Sequence, residues 1–448
     1  MPAAPPADDA APVPRPVFER ARAAFLEGVA HHEAGRFEAA RDAFLASLAL
    51  VPGRVSTLSN LGAAWLKLGR PAEALAALDE AVARAPEDRD AALHRADALL
   101  ALGDAPGALG SVDRALAADG AFAGGWLRRG EVLARLERAE EALAAFERAG
   151  ALAPAGERVR ALAARHRGNL LREAGRLDAA RDAFTEALHA TAADAASAAA
   201  RDELRFLLAA VAPPGSAAMP EAAPPGLVRD LFDGYADDYD RHLLGPLGYR
   251  AHRALVEPLG GIVGRTVFGR AVDLGCGTGL CGPLLRPFVS HLTGVDLAPR
   301  MLALAAASGA YDALVRADAV DTLAAAGPGS LDLVVAADVL IYIGDPEPLV
   351  RAAARALAPG GVLAVTVERL AEDAAETVRL DPTLRYRHAD ALWPRLAAQH
   401  GFALRAMRPE TLRLEQGRPV EGRVVVLVRK EGHGGPEPVA EVAPGRSA

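Results

Sequence analysis

Through the first half of the chain, apolar and small residues recur in a helical beat that itself repeats. Gly35, Gly69 and Gly103 lie 34 residues apart, and the register continues at Glu137 and, after a four-residue insertion, at Gly175. Five residues after each marker stands a small residue, Ala40, Ala74, Ala108, Ala142 or Ala180. Four further on comes a large apolar one, Phe44, Leu78, Val112, Phe146 or Phe184. Seven residues before each marker stands Gly28, Gly62, Ala96, Gly130 or Gly168. Small residues let antiparallel helices approach closely, the glycine ends the first helix, and Pro52, Pro86 and Pro154 open new turns. Such a helix pair cannot bury its apolar face alone, so the pattern predicts an all-α solenoid of five stacked pairs. The stretch DAASAAARDELRFLLAAVA from Asp194 reads as a final helix covering the last pair.

The period is lost at Pro213–Gly226, whose Pro/Ala content predicts a semi-rigid spacer. Beyond it come continuous apolar runs at Arg270–Asp273, His291–Asp296, Ala313–Asp318, Leu331–Ala337 and Gly361–Glu368, starting about 20 residues apart. That rhythm predicts βα units in a parallel sheet covered on both faces. Two later strands, Phe402–Arg408 and Gly422–Lys430, are joined around Gln416-Gly417. The expected organisation is a disordered lead-in over 1–16, the solenoid with its capping helix over 17–212, the spacer over 213–226, an α/β domain over 227–430 and a disordered tail over 431–448.

Composition narrows the function classes. Apolar residues make up 51% and charged residues 24%, a globular balance. A net charge of −8 argues against nucleic acid as the main partner. Cys276 and Cys281 make no disulfide framework, which predicts a reducing, cytoplasmic setting. No uncharged apolar run reaches the 18 or so residues of a spanning helix, and the N-terminus lacks the pattern of a signal peptide. The two cysteines form C-x4-C with no Cys/His partner set, so no metal site is expected.

The chemistry sits in AVDLGCGTGL, where Asp273 ends a strand and Gly275, Gly277 and Gly279 form the loop entering a helix. Glycine there permits positive φ and close approach of a ligand to backbone. Asp296 ends the next strand, placed to accept hydrogen bonds from ribose hydroxyls, and Asp318 ends the third, where it can read an adenine amino group. Acids at three successive strand ends face the crevice where open α/β sheets bind ligands. An NAD site is disfavoured, because Leu280 stands where the last glycine of G-x-G-x-x-G belongs and Asp273 would repel a pyrophosphate.

The first half resembles tetratricopeptide repeats over about Ala21–Ala193, with Trp126 at the repeat's usual tryptophan position. That resemblance implies a protein or peptide bound along the first helices of each pair, with His32, Asn60, Lys67, Arg135, Arg165, Asn169 and Arg172 as candidate contacts. The second half resembles class I methyltransferases over Leu227 to about Lys430. The resemblance implies a Rossmann-like seven-stranded sheet ending in an antiparallel hairpin, and S-adenosyl-L-methionine as cofactor. By the same resemblance, Gly275, Gly277 and Gly279 line its methionine part, Asp296 binds ribose, Leu297 and Met301 flank adenine, Asp318 meets the amino group and Ala336 approaches the methionine moiety. The segment LFDGYADDYDRHL resembles the N-terminal helix that covers the cofactor in small-molecule methyltransferases, which implies a lid formed by Tyr235 and Tyr239, four apart on one helical face. Repeats followed by this segment and DLGCGTG together resemble bacterial tetratricopeptide-repeat methyltransferases.

Methyl transfer is an in-line displacement, so alignment does much of the work, and a base is needed only where the acceptor sheds a proton. Candidates for catalysis are Asp338 and Tyr342, in AADVLIYIGD after the fourth strand, with His388 and His242 behind them. The expected acceptor is a small molecule or a protein, recruited through the repeats. The competing readings are a repeat scaffold with an inactive cofactor domain and a nicotinamide oxidoreductase.

Overall fold

The computed structural model describes residues 13–431 except 155, 214, 216–218, 236–238, 246, 373, 375 and 416; the side chains of Tyr235, His242 and Leu244 also lie outside the described residues. Most of the expected lead-in and nearly all of the expected tail therefore fall outside the description. The chain divides into two compact units between Ala193 and Asp194.

Among the described residues the first unit is five helix pairs: α1 (Arg15–Glu33) with α2 (Phe37–Leu50), α3 (Val55–Lys67) with α4 (Pro71–Arg84), α5 (Arg89–Ala101) with α6 (Ala105–Ala118), α7 (Ala123–Arg135) with α8 (Ala139–Leu152), and α9 (Arg158–Glu173) with α10 (Leu177–Ala190). Helix α1 already begins inside the segment read as lead-in. The register markers are the inter-helix turns. Gly35, Gly69, Gly103 and Gly175 have φ of 70–84°, and Glu137 takes the same left-handed turn at 58°. The small residue seven before each marker faces the large one nine after it. A Cβ on Gly28, Gly62, Gly130 or Gly168 would stand 2.5 Å from Phe44, Leu78, Phe146 or Phe184 respectively.

The second unit opens with α11 (Ala198–Ala210), the helix expected to cap the solenoid. Its Phe206 instead packs on Tyr386 at 6.1 Å between ring centroids, in one apolar cluster with Ala210, Ala223 and Leu380. A fully buried tyrosine ring needs an apolar partner, and Phe206 supplies it. The expected spacer is likewise fastened down. The Tyr386 hydroxyl donates to the Pro220 carbonyl, Ala222 forms an antiparallel bridge with Ile343, and the Gly344 and Asp345 N–H groups donate to the Glu221 carbonyl. These bonds satisfy backbone groups that a free linker would leave to water.

Among the described residues the sheet holds nine strands rather than seven: β1 (Phe268–Leu274), β2 (Val289–Asp296), β3 (Ala313–Arg316), β4 (Leu331–Ala336), β5 (Leu357–Arg369), β6 (Val378–Leu380), β7 (Tyr386–His388), β8 (Phe402–Glu415) and β9 (Arg418–Arg429). Strands run β3-β2-β1-β4-β5 in parallel, then β9 antiparallel to β5 and β8 antiparallel to β9, as the hairpin reading expected. The two extra strands exist because β5 is long. Its pairing with β4 ends at Val365, and β7 takes the edge beyond, at Glu368 and Arg369, with β6 beside it. Alternate strand residues feed two apolar layers, Val272, Leu274 and Val334 on one face, Ala271, Leu333 and Val335 on the other. No helix among the described residues is long and apolar enough to cross a membrane.

Candidate active site

The loop after β1 is shaped by its glycines. Gly275 and Gly277 have φ of 60° and 53°. A Cβ on Gly275 would stand 2.5 Å from Val339, whereas one on Gly277 would meet no atom within 4 Å. Gly277 lines a cavity of about 270 Å³ at the carboxyl ends of the parallel strands, so a side chain there would occupy the cavity itself. Asp296, ending β2, ties the loop in place. Its Oδ2 accepts the Gly277 N–H at 2.9 Å and its Oδ1 the Ala298 N–H at 2.9 Å. Burial lifts its carboxyl above the ordinary value while these backbone N–H groups pull the other way. Asp318 caps the helix after β3, its Oδ1 accepting from Val320 and Asp321 at 2.7 and 3.2 Å. Asp296, Leu297 and Asp318 all line the cavity.

Four other expected cofactor contacts lie behind its wall. Asp273 is 1% exposed and accepts a 2.7 Å hydrogen bond from the Tyr311 hydroxyl. Burial pushes its carboxyl up to about 7, against the lowering effect of that bond. Gly294, opposite it on β2, leaves the room that Tyr311 fills, since a Cβ would come 2.9 Å from that ring. Asp273 therefore does not face a ligand, and the electrostatic argument drawn from it against a pyrophosphate falls away. Gly279 turns toward Tyr311 and Ala305, Met301 is buried beside Phe232 and Tyr239, and Ala336 is buried in the core, leaving Ala337 on the cavity side. The third carboxylate facing the crevice is Asp338.

Asp338 and Tyr342 both line the cavity; His388 does not. Buried, His388 shares a 3.0 Å hydrogen bond between Nε2 and the Ile343 carbonyl and sets its ring edge toward Trp393, and burial pushes its pKa down to about 4. It is a neutral prop under the loop carrying Tyr342. Tyr235 ends α12 (Pro225–Tyr235) and Tyr239 begins α13 (Tyr239–Leu244), and because residues 236–238 between them lie outside the described residues, so does the helical face the two were expected to share. Tyr235 and the second candidate histidine, His242, have side chains outside the described residues. Tyr239 reaches the cavity wall, packed edge-on against Phe232, which meets Tyr342 in the same way, each at 5.7 Å. Cys276 and Cys281 are free and buried, and burial pushes both thiols up, away from the reactive thiolate.

Sequence reasoning missed the charged end of the cavity. Arg385 and Arg413 line it beside Asp338. The Arg413 guanidinium is 2% exposed and pairs with Glu368, also 2% exposed, with Glu415 at 3.0 Å and with Asp338 at 3.4 Å. Arg385 also meets Glu415. Strand β8 shifts register between Thr411 and Arg413, and such an irregularity turns a side chain out of simple alternation. Arg413 lies beyond Phe402–Arg408, the stretch read as that strand, so the sequence reading assigned it no place in the sheet.

In the repeat unit the expected contacts lie on first helices: His32 on α1, Asn60 and Lys67 on α3, Arg135 on α7, and Arg165, Asn169 and Arg172 on α9. The structure adds a polar chain across those helices that the sequence reading passed over. Ser59 meets His94 at 3.2 Å, and Arg128 bridges Asp97 at 3.1 Å and Glu131 at 2.6 Å, with His166 at 3.4 Å from Glu131.

A family model described as a methyltransferase domain matches residues 272–365, and one for the tetratricopeptide repeat matches 18–55, 60–123 and 102–157. The ubiquinone biosynthesis O-methyltransferase of Xylella fastidiosa (strain 9a5c) is 32% identical over 202 residues, covering 41% of this chain and 78% of that protein. Its namesake from Xanthomonas oryzae pv. oryzae (strain PXO99A) is 36% identical over 97 residues, 21% of this chain and 41% of that protein. The crystal structure of a thermophilic tetratricopeptide-repeat protein from Thermus thermophilus is 26% identical, covering 43% of this chain and 98% of that one, with a TM-score of 0.36. Repeat register, sheet order and the sequence matches agree: the chain belongs to the methyltransferases, a class I methyltransferase domain preceded by tetratricopeptide repeats.

Proposed function

We propose that the chain transfers methyl groups from S-adenosyl-L-methionine and that its repeat array recruits the acceptor or a partner protein. The junction of Gly277 with Asp296 carries this reading. Each Asp296 oxygen spends one lone pair on a loop N–H and keeps another for a hydroxyl donor, which suits a ribose. Gly275 and Gly277 leave the loop backbone open to the methionine part, and Leu297 and Asp318 stand where the adenine would be held. The residues present fit the cofactor. When bound, it supplies a methyl group activated by positively charged sulfur. The aromatic wall of Phe232, Tyr239 and Tyr342 suits a cation and excludes water from it. That Asp338 and Tyr342 line the same cavity supports them as the groups that meet the acceptor. The shared name of the matched relatives supports oxygen as the acceptor atom.

Titration calorimetry with S-adenosylmethionine tests the cofactor. The full chain binds it, and Asp296→Ala weakens binding at least about tenfold, roughly 1.4 kcal/mol. Absence of binding by the wild type, or undiminished binding by the variant, overturns the assignment.

A further inference from the structure

Asp338 is an unusual residue in its setting. It is one of three non-glycine residues with positive φ among those described, at 57°, and it sits just past the end of β4, half-buried and lining the cavity. Its backbone is pinned, because the N–H donates to Thr366 Oγ1 at 2.8 Å and the same hydroxyl lies 3.5 Å from its Oδ1. Left-handed conformations cost energy outside glycine and gather where function over-determines them. Behind it lies a buried ion pair, Arg413 with Glu368, and such pairs are commonly no more stable than apolar residues of similar size. The charges that face Asp338 are Arg413 from β8, Glu368 from β5 and Arg385 from the loop before β7. Tyr342, Tyr239, Tyr249 and Cys281 face it from the other elements, each held neutral by burial. The guanidinium sits closest to Glu368 and further, at 3.4 Å, from Asp338.

We propose that Arg413, anchored by Glu368, is a positioning residue that keeps the Asp338 carboxylate charged and aimed into the cavity to take the proton of a hydroxyl acceptor. This rests on the S-adenosylmethionine reading. The acceptor's O–H bond breaks as its proton passes to Asp338. Its oxygen forms the new bond to the methyl carbon, and the carbon–sulfur pair stays on sulfur. The carboxylate's negative and the sulfonium's positive charge disappear together, so the cavity ends the step with less charge than it began. Glu368 prevents Arg413 from closing fully on Asp338, which would make the carboxylate too weak a base. Burial raises the Asp338 carboxyl above its ordinary value, which makes it the stronger base, and Arg413 opposes that rise.

The experiment reads the Asp338 carboxyl directly, by isotope-edited infrared titration of the full chain labelled with 13C-aspartate. Its band is identified by its loss in Asp338→Asn. The expected result is a midpoint raised by at least about one pH unit in Arg413→Met, raised less in Arg413→Lys, and lowered in Glu368→Gln. Opposite shifts are a signature that general loosening of the fold does not produce. Unmoved midpoints, or shifts of the same sign in the methionine and glutamine variants, overturn the proposal. If Arg413→Met does not fold, the sign of the Glu368→Gln shift decides. Calorimetry with S-adenosylmethionine on the same wild-type sample tells the two readings apart. Failure there removes the cofactor assignment, whereas the midpoints test Arg413.

Discussion

Asp273 and Asp296 end neighbouring strands, yet their surroundings give them different work. Asp296 holds two backbone N–H groups and keeps a face on the cavity; Asp273 has one hydroxyl partner and no solvent. Its folded carboxyl, pushed up by burial to about 7, lies above the ordinary 3.8. Between those values the folded chain holds a proton that the unfolded chain releases. The stability this provides is complete below about pH 4 and is lost as pH climbs through 7. Asp273→Asn carries no proton to lose, and its amide oxygen still accepts from Tyr311. The variant is expected to gain on the wild type by up to about 4 kcal/mol between pH 4 and 8. Denaturant unfolding of the methyltransferase unit at the two pH values measures this, and a gap that ignores pH removes the account. An acid closing a strand before a glycine loop reads as ligand-facing from sequence. Only the partner 38 residues away, Tyr311, shows that it supports the loop instead.

At the scale of elements, legibility followed the range of the interactions. The five helix pairs could be read because both halves of each contact, such as Gly168 with Phe184, lie 16 residues apart in one repeating register. The parallel strands were legible as continuous apolar runs, and the hairpin as two more. Strands β6 and β7 were not, since three residues each carry no periodicity and they exist only because β5 outruns β4. The segment Pro220–Ala223 was misread for a similar reason. Its Pro/Ala composition matches a spacer, while the groups that hold it, Tyr342, Ile343, Gly344 and Tyr386, lie 119 to 166 positions later. Tyr386→Phe tests that fastening. Removing the hydroxyl leaves the Pro220 carbonyl unmatched and is expected to cost about 1 kcal/mol. Amide exchange at Ala223 and Gly344, whose N–H groups close the same junction, should quicken. Unchanged protection at both amides shows that the bridge to Ile343 holds the strap by itself.

For the whole molecule, the place where one unit ends decides what a working methyltransferase fragment contains. Composition puts the boundary after Ala212, with a spacer to Gly226. Contacts put it at Ala193, so α11 and the strap belong to the catalytic unit. The difference reaches the site. Ala222 and Ala223 line the same cavity as Asp296 and Asp338, and Phe206 supports Tyr386, whose hydroxyl holds Pro220. A chain begun at residue 227 loses that part of the wall and uncovers Tyr386, while one begun at Asp194 keeps both. Fragment 194–431 is therefore expected to bind S-adenosylmethionine within about twofold of the full chain. Fragment 227–431 should bind at least about tenfold more weakly and unfold at lower denaturant, because an apolar cluster centred on Phe206 has been opened. Calorimetry and denaturant melts on the two fragments provide the comparison. Equal affinity and equal midpoints would return α11 and the strap to the role of a tether.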